Sequence, residues 1–254
     1  MKLKVLSFNI CHGHGIDGRQ DLKRTIETIR QIDADIVGLQ EVDRFFGERS
    51  GWEDQPELLA QSLGMHVVFG PNLDRGPHPE HPDRRKQYGT AILSKHPILA
   101  SRNHMLPQVH VPGGYNEPRG VLEAHIQTEG AVIRFFNTHL GLKAKERMLQ
   151  SKRLLELARP EEGKCILTGD FNALPGSPEL DILNSKLCDT YAEFHGGEHA
   201  PTFLSSAGSR TPEAVKCIDY IFCSRSFRTV GAAVLFTLAS DHLPLVAELA
   251  LEKS

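Results

Sequence analysis

The chain has 254 residues, 40% of them hydrophobic and 24% charged, and a formal net charge of −3. A chain of this length forms one large domain or two small ones and buries a substantial core. The net charge excludes a general attraction to nucleic acid or to an anionic membrane, although a local basic groove is enough for nucleic acid binding.

Cysteine usage and hydropathy predict a cytoplasmic protein. The five cysteines form no C-x-x-C pair, and Cys165 lies inside an apolar run, so we interpret them as reduced thiols. The chain begins directly as a strand, without the apolar segment of a signal peptide. No stretch approaches the roughly 20 apolar residues of a membrane span, so we expect no stable membrane insertion. Nothing in the sequence indicates a protein partner.

The first half of the chain combines strands with two amphipathic helices. Leu22, Ile26 and Ile29 recur at helical spacing, which predicts a helix from Asp21 onward. Two long polar segments, 70–87 and 107–118, are predicted to be loops, and loops of this length are usually functional or mobile. The second helix is predicted over 53–63, and the strands over 2–9, 35–41, 65–69 and 120–127, with 88–93 and 98–105 as a strand pair.

The second half continues the same pattern with more strands than helices. The predicted strands cover 131–138, 165–168, 217–222, 232–236 and 245–251, with helices over 144–159 and from Ser177, and a turn-rich segment over 196–211. Many short strands and few helices favour two packed β-sheets with helices outside them, rather than one doubly wound parallel sheet.

Polar side chains stand where several predicted strands end. Asp170 and Asn172 follow the apolar run at 165–168; alone, they fit a β-turn as well as a catalytic site. Carboxylates and amides without a cysteine cluster suit Mg²⁺ or Mn²⁺ better than zinc, and nearby imidazoles suit phosphoryl transfer. The set comprises Asn9, Glu41, His139, Asp170, Asn172, Asp241 and His242, with Asp219 on a neighbouring strand.

Eight short segments, in order along almost the whole chain, resemble the endonuclease/exonuclease/phosphatase superfamily of metal-dependent phosphohydrolases. The resemblance implies a single domain over residues 1–254. It also implies a DNase I-like α/β fold, a four-layer α/β/β/α sandwich of two packed mixed β-sheets with outer helices. The matching segments are Ser7–Asn9, Gly38–Val42, Gly89–Ser94, Glu117–Gly120, Asn137–Leu140, Gly169–Ala173, Ile218–Tyr220 and Ser240–His242.

The resemblance also implies roles for these residues. Glu41, Asn9 and Asp241 would hold Mg²⁺ or Mn²⁺. Asp170 would orient or deprotonate the attacking water, and Asn172 would hold a phosphate oxygen or that water. His242, oriented by Asp219, would contact the phosphate. His139 would donate a hydrogen bond to a phosphate oxygen or to the leaving group.

One position departs from the pattern, and three further residues have two interpretations each. Relatives that cut at abasic sites carry an aspartate two residues after the first-strand asparagine, where this chain has Cys11. Arg119 either clamps phosphate or pairs with an acid. Tyr88 either contacts substrate or closes the core. His12 either lines the pocket or is a solvated loop residue.

The expected activity is hydrolysis of phosphate esters, with several substrate classes open. We expect a Mg²⁺- or Mn²⁺-dependent phosphodiesterase acting on a small or lipid-derived diester. A DNA or RNA nuclease is the main alternative, although the candidate phosphate-binding lysines and arginines are few and scattered. A phosphomonoesterase and a non-catalytic binding module that retains the fold are further alternatives.

Overall fold

The structure, a computed structural model, describes residues 1–79, 81–110, 113–205 and 212–252. Its α-helices are α1 (Leu22–Ile32), α2 (Gln55–Leu63), α3 (Ala144–Ala158), α4 (Pro178–Asn184) and α5 (Thr190–Phe194). Its first strands are β1 (Lys2–Asn9), β2 (Ile36–Arg44), β3 (His66–His78), β4 (His81–Ser94), β5 (Ile98–Met105), β6 (Gly120–Gln127) and β7 (Val132–His139). The remaining strands are β8 (Cys165–Asp170), β9 (Cys188–Asp189), β10 (Phe203–Ser205), β11 (Glu213–Lys216), β12 (Asp219–Cys223), β13 (Phe227–Val234) and β14 (Leu245–Leu251).

Two mixed six-stranded sheets make up the centre of the described fold. The first sheet has the order β13-β14-β1-β2-β4-β3, and the second has the order β5-β6-β7-β8-β12-β9. Each contains one parallel pair, β1 with β2 and β7 with β8, among antiparallel neighbours. The expected fold of two packed mixed sheets with flanking helices is confirmed.

Three apolar clusters separate the four layers of the sandwich. Along β1, Val5 points between the two sheets, whereas Leu6 and Phe8 point to the other face, toward α1 and α2. This period of two follows from the alternation of side chains along a strand. A third cluster, which includes Leu154 and Leu180, packs α3 and α4 on the outer face of the second sheet.

The first two helices begin and end at residues suited to those positions. The carboxylate of Asp21 accepts a hydrogen bond from the backbone of Lys23 and so caps α1, and Asp54 caps α2 through the backbone of Glu57. Such caps satisfy backbone N–H groups that have no partner inside the helix. Gly64 ends α2 in the left-handed conformation, which costs glycine little.

A buried polar junction also joins the two sheets. The Asn137 amide donates to the carbonyl oxygens of Leu39 (2.8 Å) and Ala91 (3.0 Å) in the first sheet. Its oxygen accepts from Gln40 (2.7 Å) and from Thr168 (3.0 Å). The sheets therefore approach closely at the end of the sandwich where β1, β2, β7 and β8 finish.

Three predictions of the sequence analysis were wrong in detail. Segment 70–87 is not a loop, because β3 and β4 continue through it as one long hairpin. Strands 88–93 and 98–105 do not pair, since β4 and β5 belong to different sheets. The strand expected at 232–236 runs instead from Phe227 to Val234. Within the expected loops and turns, residues 80, 111–112 and 206–211 lie outside the described part.

The hairpin was mispredicted because its outer part has no buried face. Residues 81–85 at the start of β4 are exposed, so no apolar alternation marks them as a strand. The backbone pairing of β3 with β4 nevertheless extends from His66 opposite Ser94 to His78 opposite His81. Long-range pairing therefore determines this element, and local pattern does not.

Candidate active site

The candidate site lies where the two parallel strand pairs end. Asn9 is the last residue of β1, His139 the last of β7 and Asp170 the last of β8. His139 stands opposite Asp170 in the parallel register, and Asp219 stands opposite Asp170 on the antiparallel strand β12. Because the carboxyl ends of these strands share one end of the sandwich, residues far apart in sequence meet there.

The side-chain amide of Asn9 is the central contact of the site. Its nitrogen lies 3.1 Å from Glu41 Oε1, 3.1 Å from Asp170 Oδ2 and 3.5 Å from His242 Nε2. Its oxygen accepts the backbone N–H of Cys11 at 3.1 Å. Asn9 is fully buried, so this amide fixes the relative positions of residues from both sheets.

Asp170 is a buried carboxylate that retains a high proton affinity. Burial, and then the charge of Asp219, raise the pKa of Asp170 to about 7. Its Oδ1 atom accepts the backbone N–H of Asn172 at 2.9 Å, and its Oδ2 atom lies 3.3 Å from His139 Nε2. Asn172 adopts a positive φ of 49° and donates from its side chain to the Leu140 carbonyl at 3.0 Å. The group therefore changes charge near neutral pH.

His242 and Asp219 form a buried carboxylate–imidazole pair. His242 Nδ1 lies 2.8 Å from Asp219 Oδ2, and the Thr202 hydroxyl donates to the same oxygen at 2.6 Å. Burial lowers the pKa of His242, but the charges of Asp219 and Asp170 outweigh it and bring that pKa to about 10. The imidazole is therefore cationic near neutral pH, and its Nε2 faces Asp170 Oδ2 at 3.6 Å.

His139 is the second imidazole, and it differs from His242 in charge. Burial, followed by the positive charges of Arg119 and His242, holds the pKa of His139 well below its usual value. The ring is therefore neutral near pH 7, as expected for a buried histidine beside other cations. A neutral imidazole still donates one hydrogen bond from a ring nitrogen.

Glu41 reaches the site through an irregularity in its strand. The pairing of β2 with β4 shifts between Leu39 and Val42, and Glu41 has a positive φ of 57°. A bulge of this kind re-aims one side chain while the strand continues. Strained backbone at a residue other than glycine is often found at functional sites, because the surrounding fold must hold it there.

Two sets of side chains at the site offer ligand atoms for a cation. Asp170, Asp219 and His242 offer ligand atoms that all lie within 4.8 Å of one another. In that set a cationic His242 has no free lone pair for a metal, and its two nitrogens already face carboxylates.

The second set, Glu41 and Asp241 with Asn9, fits a divalent cation better. The negative charges of Asp241 and Glu41, added to burial, raise the pKa of the Cys11 thiol, so both carboxylates lie close to Cys11. Glu41 is only partly buried, which leaves it accessible to a hydrated ion. Carboxylate and amide oxygens are the ligands that Mg²⁺ and Mn²⁺ prefer.

The structure brings the three residues that had two interpretations each, Arg119, Tyr88 and His12, close to this set. Arg119 is buried and its guanidinium lies 2.6 Å from Glu117 Oε1, with Nε in no hydrogen bond to a described residue. Tyr88 is also buried, and the charges of Glu41 and Glu117 add to that burial in raising its pKa. His12 has a positive φ of 46°, and burial lowers its pKa, with Arg49 adding to that effect.

Two polar residues at the site were missed by the sequence analysis. Arg49 forms a bidentate pair with the buried Asp43 (2.8 and 2.6 Å), and its guanidinium carbon lies 5.3 Å from the Tyr88 ring centroid. Thr202 accepts the backbone N–H groups of Ile218 and Asp219 while donating to the Asp219 carboxylate. Arg49 lies in a short 3-10 helix, Glu48–Ser50, and Thr202 in an irregular segment before β10, so no periodic pattern distinguishes them.

The similarity of the chain to known proteins agrees with the geometry of this site. The family model described as the endonuclease/exonuclease/phosphatase family matches residues 6–242. The chain belongs to the endonuclease/exonuclease/phosphatase family. Members of this family are hydrolases that act on phosphate esters. The matched region begins inside β1 and ends at His242, so it contains every residue of the candidate site.

Individual known proteins resemble the chain over different shares of their length. Protein cwh43 of Schizosaccharomyces pombe is 30% identical over 164 residues, which is 63% of this chain but only 15% of that protein. An endonuclease/exonuclease/phosphatase from Beutenbergia cavernae has a TM-score of 0.81 and 27% identity, over 98% of this chain and 72% of its own. A mannosyl-6-phosphatase of Bacteroides thetaiotaomicron shares the fold, with a TM-score of 0.71 and 24% identity over 98% and 100% of the two chains.

The helices of this family member are too short or too polar for a membrane span in the part of the chain that the structure describes. Within residues 1–79, 81–110, 113–205 and 212–252, no helix has the length and apolar character needed to cross a bilayer.

Proposed function

We propose that the protein is a Mg²⁺- or Mn²⁺-dependent phosphodiesterase that hydrolyses a small or lipid-derived phosphodiester. The observation that carries this proposal is the contact of one amide, Asn9, with Glu41, Asp170 and His242. Three groups therefore surround the Asn9 amide. Glu41 is a carboxylate suited to a cation, Asp170 is a carboxylate with a pKa of about 7, and His242 is a cationic imidazole.

The cation would be held by Glu41 and Asp241, with Asn9 beside them. When bound, such a cation supplies charge neutralisation for a phosphate oxygen. Hydrolysis of an anionic diester needs this help. Without a cation, the negative charge of the diester would be added to a site that already contains two buried acids, Asp170 and Asp219.

Asp170 would act on the attacking water. A base is most useful when its pKa lies near the working pH, and burial brings Asp170 into that range. The backbone of Asn172 and the amide of Asn9 both donate to its carboxylate, which fixes its orientation. The Asn172 side chain lies beside it and would hold the same water or a phosphate oxygen.

The two histidines would meet the phosphate in different charge states. His242 is cationic because of Asp219, so it would stabilise the negative charge that develops on the phosphoryl oxygens. His139 is neutral and buried, and it would donate a hydrogen bond to a phosphate oxygen or to the leaving group. Arg119, whose charge acts on His139, would contact the same anion.

A nuclease is the second candidate, and one surface feature favours it. In the segments that follow Glu41 in the chain, arginine side chains lie over aromatic rings. The distance from guanidinium carbon to ring centroid is 4.4 Å for Arg49 over Phe46, 5.4 Å for Arg75 over Phe46 and 5.1 Å for Arg84 over Phe45. Arginines interleaved with aromatic rings also occur where proteins bind single-stranded nucleic acid. We rank this function second because Arg49 is already paired with Asp43, as the nearby Arg85 is with Asp74.

Hydrolysis of bis-p-nitrophenyl phosphate with Mg²⁺ or Mn²⁺ tests the proposal directly. We expect Glu41→Ala and Asp170→Ala to abolish the reaction, whereas Glu129→Ala, which removes an exposed carboxylate in a turn, should leave it unchanged. Full activity in either site variant would refute the assignment. Nicking of plasmid or cleavage of RNA that decreases steeply with salt would instead identify a nuclease.

A further inference from the structure

Large apolar side chains are exposed on the loops around the candidate active site. Tyr115, Leu142, Leu174 and Phe236 expose 68%, 74%, 53% and 70% of their surface. We call these four residues the apolar rim. Exposed apolar residues that cluster around a site usually mark a surface that binds something, whereas single ones need no explanation.

Three members of the rim lie on neighbouring loops of the second sheet. Leu142 follows His139 by three residues, and Leu174 follows Asn172 by two. The Arg147 guanidinium holds these two loops together, because it donates to the Leu142 carbonyl at 2.7 Å and to Glu179 of α4 at 2.6 Å.

Tyr115 is attached to the same region through α3. The neighbouring Asn116 donates to the buried carboxylate of Glu146, which also accepts the backbone N–H of Val109 at 2.9 Å. Glu146 lies in the first turn of α3, two residues after the exposed Ala144. The segment that carries Tyr115 is therefore fastened beside Leu142.

Phe236 completes the rim on the side of the first sheet. It lies on the connection between β13 and β14, whose facing ends are Val234 and Leu245. This connection continues directly into Asp241 and His242. The rim thus includes loops from both sheets, and these loops carry or adjoin residues of the candidate site.

Positive charge accompanies the rim. Lys143 and Lys145 are exposed directly beside Leu142, and neither forms a salt bridge with a described residue. Glu146 of α3 and Glu179 of α4, two acids of this region, are buried and already bonded. Leucine and tyrosine tips with adjacent lysines match the bilayer surface of anionic phospholipids, because apolar side chains enter the interface and lysines attract the headgroups.

We propose that the apolar rim docks on the surface of an anionic phospholipid bilayer, with the candidate active site facing the lipid. The inference rests on the proposed function only in its consequence, namely that the diester would be presented at a membrane surface. The docking itself requires the rim and the two lysines, and it requires no catalysis.

Vesicle co-sedimentation of the full chain in EDTA tests this docking without hydrolysis. We expect binding to phosphatidylcholine vesicles that contain phosphatidylglycerol, and much weaker binding to phosphatidylcholine alone. Leu142→Asp with Leu174→Asp should weaken binding by about tenfold, since two anchors are lost and two repelled charges are added. Lys143→Glu with Lys145→Glu should weaken it by a similar factor, and salt should weaken wild-type binding.

Matched controls separate docking from general changes of hydropathy or charge. Leu99→Asp with Val132→Asp changes two exposed apolar residues away from the rim, since Val132 begins β7 at the end opposite His139. Lys2→Glu with Lys186→Glu makes the same change of charge away from the rim. We expect both controls to bind vesicles as the wild type does.

Several outcomes would overturn the docking proposal. One is a wild type that does not bind vesicles, and another is a wild type that binds anionic and neutral vesicles equally. A third is loss of vesicle binding to the same extent in the rim variants and the control variants. The last is a dimer of the chain that Leu142→Asp dissociates, which would mean that the rim binds a second copy. Hydrolysis of soluble bis-p-nitrophenyl phosphate should be unchanged in the rim variants. Wild-type vesicle binding together with full hydrolysis by Asp170→Ala would refute the proposed function and leave the docking intact.

Discussion

The imidazole of His242 donates from Nδ1 to Asp219 Oδ2 across 2.8 Å, inside the protein and away from solvent. Asp219 is the first residue of β12, whereas His242 lies on the connection between β13 and β14, 23 positions later in the chain. Their pairing leaves His242 Nε2 directed toward Asp170, 3.6 Å away. One side of the ring therefore sets its charge, and the other faces the group that we assign as the base.

Asp219→Asn should lower the pKa of His242 toward its ordinary value. The substitution keeps the shape of the side chain but removes the largest favourable charge acting on the ring. The C2 proton of His242, followed by NMR against pH, measures this shift. Activity should decrease by about 10²-fold or more near pH 8, where the ring would lose its charge.

A carboxylate–imidazole pair outside the site is the control for this variant. Glu123 lies 2.8 Å from His104 on strands β6 and β5. Glu123→Gln should leave hydrolysis and the titration of His242 unchanged. A His242 that still titrates near pH 10 in Asp219→Asn would contradict the account of its charge.

Thr202→Val should destabilise the protein and reduce activity through Asp219. Valine keeps the volume but removes the hydroxyl, so Asp219 loses a donor and two buried N–H groups lose their acceptor. We expect the free energy of unfolding to decrease by about 2–3 kcal/mol in urea titration. Thr202→Ser should keep most of the stability and of the activity, because serine retains the hydroxyl. A Thr202→Val variant with unchanged stability and activity would refute this role.

The rate of hydrolysis should increase with pH on the acid side of its profile. Asp170 acts as a base only when deprotonated, and its pKa is raised to about 7, so the active form disappears as the pH falls through that value. A cation bound beside Glu41 favours the carboxylate, so the midpoint with metal should lie at or below 7. Measurement of kcat/KM from about pH 5 to pH 9 tests this, and a flat profile would contradict it.

Gly38→Ala should disturb the contact between the two sheets. A Cβ atom at Gly38 would lie 2.1 Å from Thr168 Oγ1 and 2.8 Å from Asn137 Oδ1, inside the buried polar junction. We expect a loss of about 3 kcal/mol in the free energy of unfolding, as for other overpacked cores. Gly47→Ala is the control, since no described residue beyond its chain neighbours lies within 4 Å of its Cβ position. Equal stability of the two variants would contradict the close approach of Gly38 to Thr168 and Asn137.

Cys11→Asp should increase the affinity for Mn²⁺. Residue 11 lies beside Glu41 and Asp241, and a third carboxylate there adds negative charge to the cation site. Calorimetry without substrate should show a dissociation constant lower by about three- to tenfold, because ligand charge tunes such affinities. Cys11→Ser adds no charge and should bind Mn²⁺ as the wild type does. Unchanged affinity in Cys11→Asp would place the cation elsewhere.

Much of the fold was predictable because its elements carry local signals. The apolar spacing of Leu22, Ile26 and Ile29 predicted the start of α1 to within a residue. The outer part of the β3–β4 hairpin was not predictable, since its exposed residues carry no apolar alternation. Its strand conformation depends on backbone pairing between residues of two different segments.

The sequence by itself determined the family and the chemical types of the polar residues, because Asn9, Glu41, Asp170 and His242 stand in short patterns after apolar runs. Only the tertiary structure decided how these groups affect one another. The charges of His139 and His242 depend on which acids and cations lie within a few ångströms, and the contact of Thr202 with Asp219 joins a turn to a strand. Burial and distance set proton affinity, and neither is a property of a residue's place in the chain.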